Sequence, residues 1–381
     1  MDAAQFTANA WGRLTRTVSG NTAFVPAPAP RTLDLSGEAI ALLDEASNRL
    51  GVLAGIGRRL PNPQLLIGPY LRREAVLSSR IEGTQTTLSD VYAAEVEQLS
   101  LVASGDVREV QNYVEAYEYG LGRLYSLPLS LRLIKELHER LMRGVRGQSR
   151  QPGEFRTYQN FVGGSNEADA AFVGPPVAEM RQCLDDFERF MHERSLRPLV
   201  QVAVLHYQFE AIHPFGDGNG RVGRLLTGVF LTERRLMPRP LLYLSAYFEQ
   251  TRGSYYDGLM RVSTHGDWDG WVRYVLEGVW TQAEEAATLA DRLLELQARY
   301  RVELQSARAT ANALALVDAL FTNPLMTTRR ARELLRVSDP TARATIRTLE
   351  AAGILSEITS RRWGRVFRAE EIFSAIAGDE S

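Results

Sequence analysis

Cysteine is almost absent: Cys183 is the only one in 381 residues, which excludes a disulfide framework and a cysteine-built metal centre. Lysine is as scarce, Lys135 being the one lysine among 44 basic residues, a coding bias without functional content. Neither sign of charge is in excess, since the formal net charge is −2. No global field therefore argues for nucleic acid, and any basic surface has to be local. Long apolar runs are missing too, and the polar residues 1–12 lack the apolar centre of a signal peptide. The expectation is a cytoplasmic protein. Internal repeats and low-complexity segments are also absent. What remains is an ordinary globular composition, 45% apolar and 24% charged, in a chain long enough for two or three domains.

One stretch concentrates chemistry: His213-Pro214-Phe215-Gly216-Asp217-Gly218-Asn219-Gly220-Arg221-Val222-Gly223-Arg224, between helix-like apolar segments at 199–212 and 222–231. Pro214 and the glycines break the incoming helix. Gly218-Asn219-Gly220 lets backbone N–H groups turn inward at the start of the next one, an anion nest on a helix N-terminus. Arg221 and Arg224 are three apart and project from one face of the first turn. Asp217 is a hard oxygen ligand suited to Mg²⁺ or Mn²⁺ bridging two phosphates. His213 is the only neutral-pH base in the stretch and stands at its edge, where a nucleophile arrives. A plain Gly-rich turn between core helices would leave His213, Asp217 and both arginines to chance. A P-loop needs a Lys-Ser/Thr pair after the glycines, and there is none.

The stretch resembles the signature of the Fic family, His-Pro-Phe-x-Asp/Glu-Gly-Asn-Gly-Arg-x-x-Arg, and matches every specified position. The resemblance implies transfer of AMP from ATP to a protein hydroxyl. His213 would be the base and Asp217 the ligand of Mg²⁺ or Mn²⁺. Gly218, Asn219, Gly220, Arg221, Val222, Gly223 and Arg224 would hold ATP, with Asn219 on the α-phosphate and the two arginines on the β/γ end. In the related Doc kinases a lysine replaces the second glycine, so Gly220 favours nucleotidyl over phosphoryl transfer. Removal of AMP from a modified protein, or a DNA-bound regulator sensing nucleotide without turnover, stays open as an alternative.

Three further segments bear on this. Residues 1–35, with a Pro-Ala repeat at 26–30, read as an irregular arm with one short strand. Two helices follow, broken by Pro61 and Pro63, and the second runs into Ser78-Ser79-Arg80-Ile81-Glu82-Gly83, with Gly83 just past its end. Ser78, Glu82 and Gly83 resemble the inhibitory motif of Fic proteins, Ser/Thr-x-x-x-Glu-Gly/Asn. A Glu82 carboxylate on Arg224 would take the volume and charge that the γ-phosphate needs. Residues 144–177 lose helical period, and Phe161-Val162-Gly163 with Phe172-Val173 resemble the Fic flap, a hairpin that clamps the target by strand addition. Of the aromatics after the signature, Tyr256 is the expected nucleoside contact, again by resemblance. His138 and His206 read as packed or solvated. Cys183 reads as core.

Residues 284–308 read as a connector helix, and 309–381 as a helix–turn–helix–hairpin that looks like a winged helix. Arginines dominate it, with Arg361-Arg362-Trp363-Gly364-Arg365 as a basic tip. DNA or a protein partner, homodimerisation included, fits this surface equally. The expected protein is mainly α, with a helical region and inhibitory motif over 1–105, a Fic-type core with a small hairpin flap over 106–283, the connector, and the C-terminal unit. Its expected partners are ATP and a target protein, itself included.

Overall fold

The computed structural model describes residues 1–59, 64–97, 105–237, 240–359 and 364–378. The N-terminal arm holds two strands rather than one. β1 (Gly12–Arg16) and β2 (Thr22–Pro26) form an antiparallel hairpin, in register from Gly12↔Pro26 to Arg16↔Thr22. Its turn closes through the Thr17 N–H on the Asn21 carbonyl, with Gly20 at φ 81° supplying the left-handed residue. Proline at the end of β2, and Arg13 and Arg16 on the two faces of β1, mask the alternation in sequence.

Two helices come next, α1 (Gly37–Arg59) and α2 (Gln64–Ile81). Pro61 and Pro63, read as the break between them, lie outside the described residues. Gly83, at φ 92°, ends α2 as expected. After α3 (Leu88–Glu97), α4 (Gly105–Arg123) and α5 (Leu131–Leu141) pack together. A short hairpin of β3 (Phe161–Val162) and β4 (Phe172–Val173) then leads into α6 (Val177–His192) and α7 (Pro198–Ile212). α7 is apolar on nearly every face and is buried accordingly, at the centre of the molecule. α8 (Asn219–Glu233) packs on it across the 213–218 turn, and α9 (Ser245–Gln250) and α10 (Arg252–His265) complete the bundle.

The expected connector is not a separate element. A single helix, α11 (Trp268–Ser306), runs for 39 residues from its Asp267 cap and crosses the boundary expected at 283. It contains no proline and no cap signal, so nothing stops it. Its N-terminal part is anchored by the Trp271 indole N–H on the Ala203 carbonyl, 2.8 Å, and it packs along α1.

Beyond it lies a compact unit: α12 (Ala311–Leu320), β5 (Leu325–Thr327), α13 (Thr328–Leu335), α14 (Asp339–Ala351), β6 (Ser356–Glu357), β7 (Val366–Arg368) and α15 (Glu370–Ala377). The three strands form one antiparallel sheet in the order β5-β7-β6. Thr327 caps α13 through the Arg330 N–H, and Ser338 caps α14, with Pro340 in its first turn. Arg361, Arg362 and Trp363 of the expected tip lie outside the described residues. α12 and α15 rest on α11, α15 also touches α2, and Asn323 donates to Glu95 of α3 at 3.2 Å.

Candidate active site

α7 ends on His213, which takes a left-handed conformation, φ 49°, ψ 61°, while its N–H still closes on the Phe209 carbonyl at 3.0 Å. A non-glycine residue holds that conformation only where its surroundings fix it. Here the His213 carbonyl receives two donors at 3.0 Å, Arg156 Nε and Asn160 Nδ2. Arg156 is buried without a carboxylate in its hydrogen-bond set; its other contacts are the carbonyls of Tyr158 and Pro175. Burial drives its pKa down to about 10. The His213 ring lies with Nδ1 3.2 Å from the Glu210 carbonyl. A carbonyl only accepts, so Nδ1 carries the proton and Nε2 presents a lone pair. Burial lowers the pKa of the ring to about 4.

The turn after His213 is tied from within. The Asn219 side chain accepts from the Phe215 N–H at 2.8 Å and donates to the Phe215 carbonyl at 2.9 Å. Asn219 was expected to orient a phosphate, but its amide is spent on the loop. Its place in the site is through the backbone, at the open first turn of α8, where N–H groups have no intrahelical acceptor. Val222 has a fully buried side chain, and its N–H bonds the Gly218 carbonyl. His138, read as packed or solvated, is a clasp. It is buried, stacks on Phe215 with ring centres 3.8 Å apart, accepts the Gly153 N–H at Nδ1 and donates from Nε2 to the Asp217 carbonyl. His206 is structural as expected, buried with Nε2 2.9 Å from the Tyr255 hydroxyl.

The two arginines of α8 are both buried and go to different carboxylates. Arg221 Nη1 reaches Glu109 of α4 at 3.2 Å, and Glu109 also accepts from the Thr84 hydroxyl. Arg224 turns to the end of α2, with Nε on Ser78 Oγ at 2.9 Å and Nη2 on the Ser78 carbonyl at 2.8 Å and on Glu82 Oε1 at 2.7 Å. Burial alone would raise the Glu82 pKa, but Arg224, then Arg221 and His213, outweigh it and hold the carboxylate ionised. Gly220 is what lets Glu82 approach, since a Cβ there would collide with Glu82 Oε1. Glu74, one turn before Ser78, fixes the same helix by accepting from the Tyr113 hydroxyl and from Ser245.

Asp217 stands opposite, its side chain 41% exposed and its Oδ1 3.8 Å from Arg221 Nη2. A side chain at Gly147 would fill the space against Asp217 Oδ2. No group of three metal-ligating side chains exists among the described residues. One open carboxylate is nonetheless the donor set that Mg²⁺ uses when substrate phosphates and water supply the rest. Tyr256 lies at the rim, 39% exposed, with the Arg252 guanidinium 5.8 Å from its ring centre. On the other side, β3 pairs only with β4 within its sheet, leaving its outer edge open, and Gly163 follows it at φ 69°. Phe161 is exposed, and Val162 is half-buried.

Glu210 went unread in the sequence, although it is the only charged residue between 198 and 212. Its Oε1 is buried without a hydrogen-bond partner, against the face of α8 that Gly223 leaves bare. Burial raises its pKa to about 8; Arg224 opposes the rise and Glu82 adds to it. A raised carboxyl is protonated in the folded chain while the unfolded chain has already ionised. It therefore costs stability progressively as pH climbs from about 4.5 to about 8. Glu210→Gln is expected to melt higher than wild type, by at least ~1 kcal/mol at pH 9 and by little at pH 5. A gain independent of pH in thermal melts would remove Glu210 as the titrating group.

Comparison with known proteins agrees with this geometry. Residues 128–231 match the Fic/DOC family model, and residues 40–122 match that of the Fic/DOC family N-terminal region. The chain thus carries Fic/DOC family domains. The protein adenylyltransferase Fic of Drosophila virilis is 28% identical over 207 residues, covering 52% of this chain and 39% of that protein. Its Drosophila melanogaster namesake is 27% identical, over 52% and 38%. The chain spans about two fifths of the length of these curated relatives. In fold it resembles a Fic family protein from Desulfovibrio desulfuricans, with a TM-score of 0.56, 19% identity and coverage of 88% of this chain and 97% of that one. Fic-1 from C. elegans gives a TM-score of 0.52 at 21% identity, over 65% and 72%.

Proposed function

We propose that this chain, through its Fic/DOC family domains, transfers AMP from ATP to a Ser, Thr or Tyr hydroxyl of a target protein, itself included, and that Glu82 restrains the reaction. One observation carries the reading: a histidine whose Nδ1 is committed to the Glu210 carbonyl, leaving Nε2 as an acceptor, heads the turn into a helix whose buried arginines are held by carboxylates. The hydroxyl oxygen attacks the α-phosphorus, the bond to the β-phosphate oxygen breaks, and pyrophosphate leaves. His213 Nε2 takes the hydroxyl proton. The α8 N-terminus binds the α-phosphate by its N–H groups, and Arg221 and Arg224 bind the β/γ end. Tyr256 covers the nucleoside. Asp217 would hold Mg²⁺ or Mn²⁺, which when bound neutralises charge on the phosphates. The target strand adds to the open edge at Phe161, Val162 and Gly163, which places its hydroxyl beside His213. The catalytic unit in this reading is 106–283, with the restraint contributed by 1–105.

Intact-mass measurement after incubation with ATP and Mg²⁺ tests this: a gain of one AMP supports transfer. A second reading draws on Glu82 being one-third exposed while close enough to act on His213: hydrolytic removal of AMP, with Glu82 positioning the water. Loss of label from a modified protein would favour it. For the metal site, Asp217→Ala is expected to abolish the rise in labelling with added Mg²⁺, because no other acidic residue lies in the turn. Superimposable Mg²⁺ titrations of the two proteins would exclude Asp217 as the ligand.

A further inference from the structure

We infer that the C-terminal unit is a winged helix that binds duplex DNA, with the outer face of α14 in the major groove. The inner face of α14 is used up: Ala342, Thr345, Ile346 and Leu349 are buried against α12 and α13. Its outer face is not. Thr341, Arg343, Ala344, Arg347 and Thr348 are exposed, and the unit docks on the rest of the chain through α12, α15 and Asn323 instead.

Two properties of that face select the occupant. The first is charge. Among the described residues, Arg343 and Arg347 stand clear of the ion pairs that engage Arg329, Arg332, Arg365 and Arg368. With Arg329, Arg332 and Arg365 they line a cleft of ≈ 570 Å³ between α13, α14 and β7, tempered only by Asp339 and Glu350. In a protein whose net charge is −2, such a concentration is local and complements a polyanion. The second is size. Around the arginines the face presents Thr341, Ala344 and Thr348, side chains short enough to let a helix seat deeply in a groove. A protein-binding helix face needs large apolar anchors. Among the described residues of this unit only Leu334 and Ile358 are large, apolar and exposed, and neither lies on α14. The same shortage argues against a second copy of the chain as the occupant.

The test uses the full chain and a fluorescently labelled, mixed-sequence DNA duplex, read by anisotropy at rising salt. Wild type is expected to bind in the micromolar range or tighter and to weaken steeply with salt. Arg343→Ala/Arg347→Ala should lower affinity at least tenfold, while Arg189→Ala, exposed elsewhere on the surface, leaves it unchanged. Because both α14 side chains are exposed, the double variant should melt with wild type and label with AMP at the wild-type rate. That separates failure here from failure of the AMP-transfer reading. Absence of salt-dependent duplex binding, binding indifferent to the double substitution, or equal binding to single-stranded RNA would overturn the inference. So would self-association lost in the double variant of a chain that ignores DNA.

Discussion

Glu82→Gly is expected to raise self-labelling with AMP by about tenfold or more. Arg224 is buried, and of its three acceptors two belong to Ser78 and only Glu82 is charged. The substitution removes that charge and its volume while leaving Ser78 in place, so the guanidinium keeps its position but lacks an anion. The γ-phosphate of ATP then becomes its best available partner. A charge-assisted hydrogen bond of this kind contributes upwards of ~1.5 kcal/mol, which is the source of the tenfold figure. Glu82→Gln keeps the volume and weakens the bond, so labelling should rank glycine above glutamine above wild type. Stability should move the other way. Without nucleotide the glycine variant leaves a buried cation short of its counter-charge and should lose about 1–2 kcal/mol, a value reduced by the one-third exposure of Glu82. Saturating ATP should recover much of that loss. A glycine variant that labels no faster than wild type would leave Glu82 a helix-terminal residue and end the inhibitory reading.

The pair also shows why some of the site was legible in the sequence. Residues 213–224 carry their chemistry in one unbroken stretch, because a turn that presents backbone N–H groups needs glycine at fixed places and its charges follow within one helical turn. Ser78 and Glu82 lie well over a hundred residues away. They are legible only through their resemblance to the Fic inhibitory motif, whose weight comes from the complete signature downstream. Arg156, Asn160, His138 and Glu109 had no such spacing. Each acts through backbone carbonyls or through one partner far along the chain, and a buried arginine that serves three carbonyls looks like any surface arginine in a sequence with 44 basic residues.

Membership of the signature does not by itself assign a role. Asn219 and Val222 both belong to the stretch expected to hold ATP; the Asn219 amide secures the loop and the Val222 side chain fills the core. A motif fixes which residues are present, not which atom of each faces the ligand. Likewise the connector helix expected from 284 starts at no break, because α11 runs on from Trp268 to Ser306. The N-terminal hairpin was hidden because it packs its inner side on the flap, with Thr17 and Asn21 donating to Glu167. The order in that segment comes from tertiary contact rather than from local pattern.

Replacing His213 should have the largest effect of all, a fall in AMP transfer of about 10²–10⁴, the usual worth of a positioned general base. The substitution needs care, because His213 also supports a left-handed turn at φ 49°. Alanine there incurs roughly 1–2 kcal/mol of backbone strain, so loss of activity in His213→Ala alone would mix chemistry with a displaced loop. His213→Asn separates them. Asparagine tolerates the left-handed region and can donate its amide to the Glu210 carbonyl, but it cannot accept a proton. Transfer should be lost in both variants, with the asparagine form melting closer to wild type. The pH profile gives an independent check, best read in the Glu82→Gly background. Burial holds the His213 pKa near 4, below its ordinary value, so the ring stays neutral as pH falls through 6.5. Transfer should therefore hold from pH 8 to about pH 5 and decline only below it, whereas an unperturbed histidine would lose half its activity near pH 6.5. Protein labelling by His213→Asn at the wild-type rate would remove His213 from the proton transfer and, with it, the mechanism.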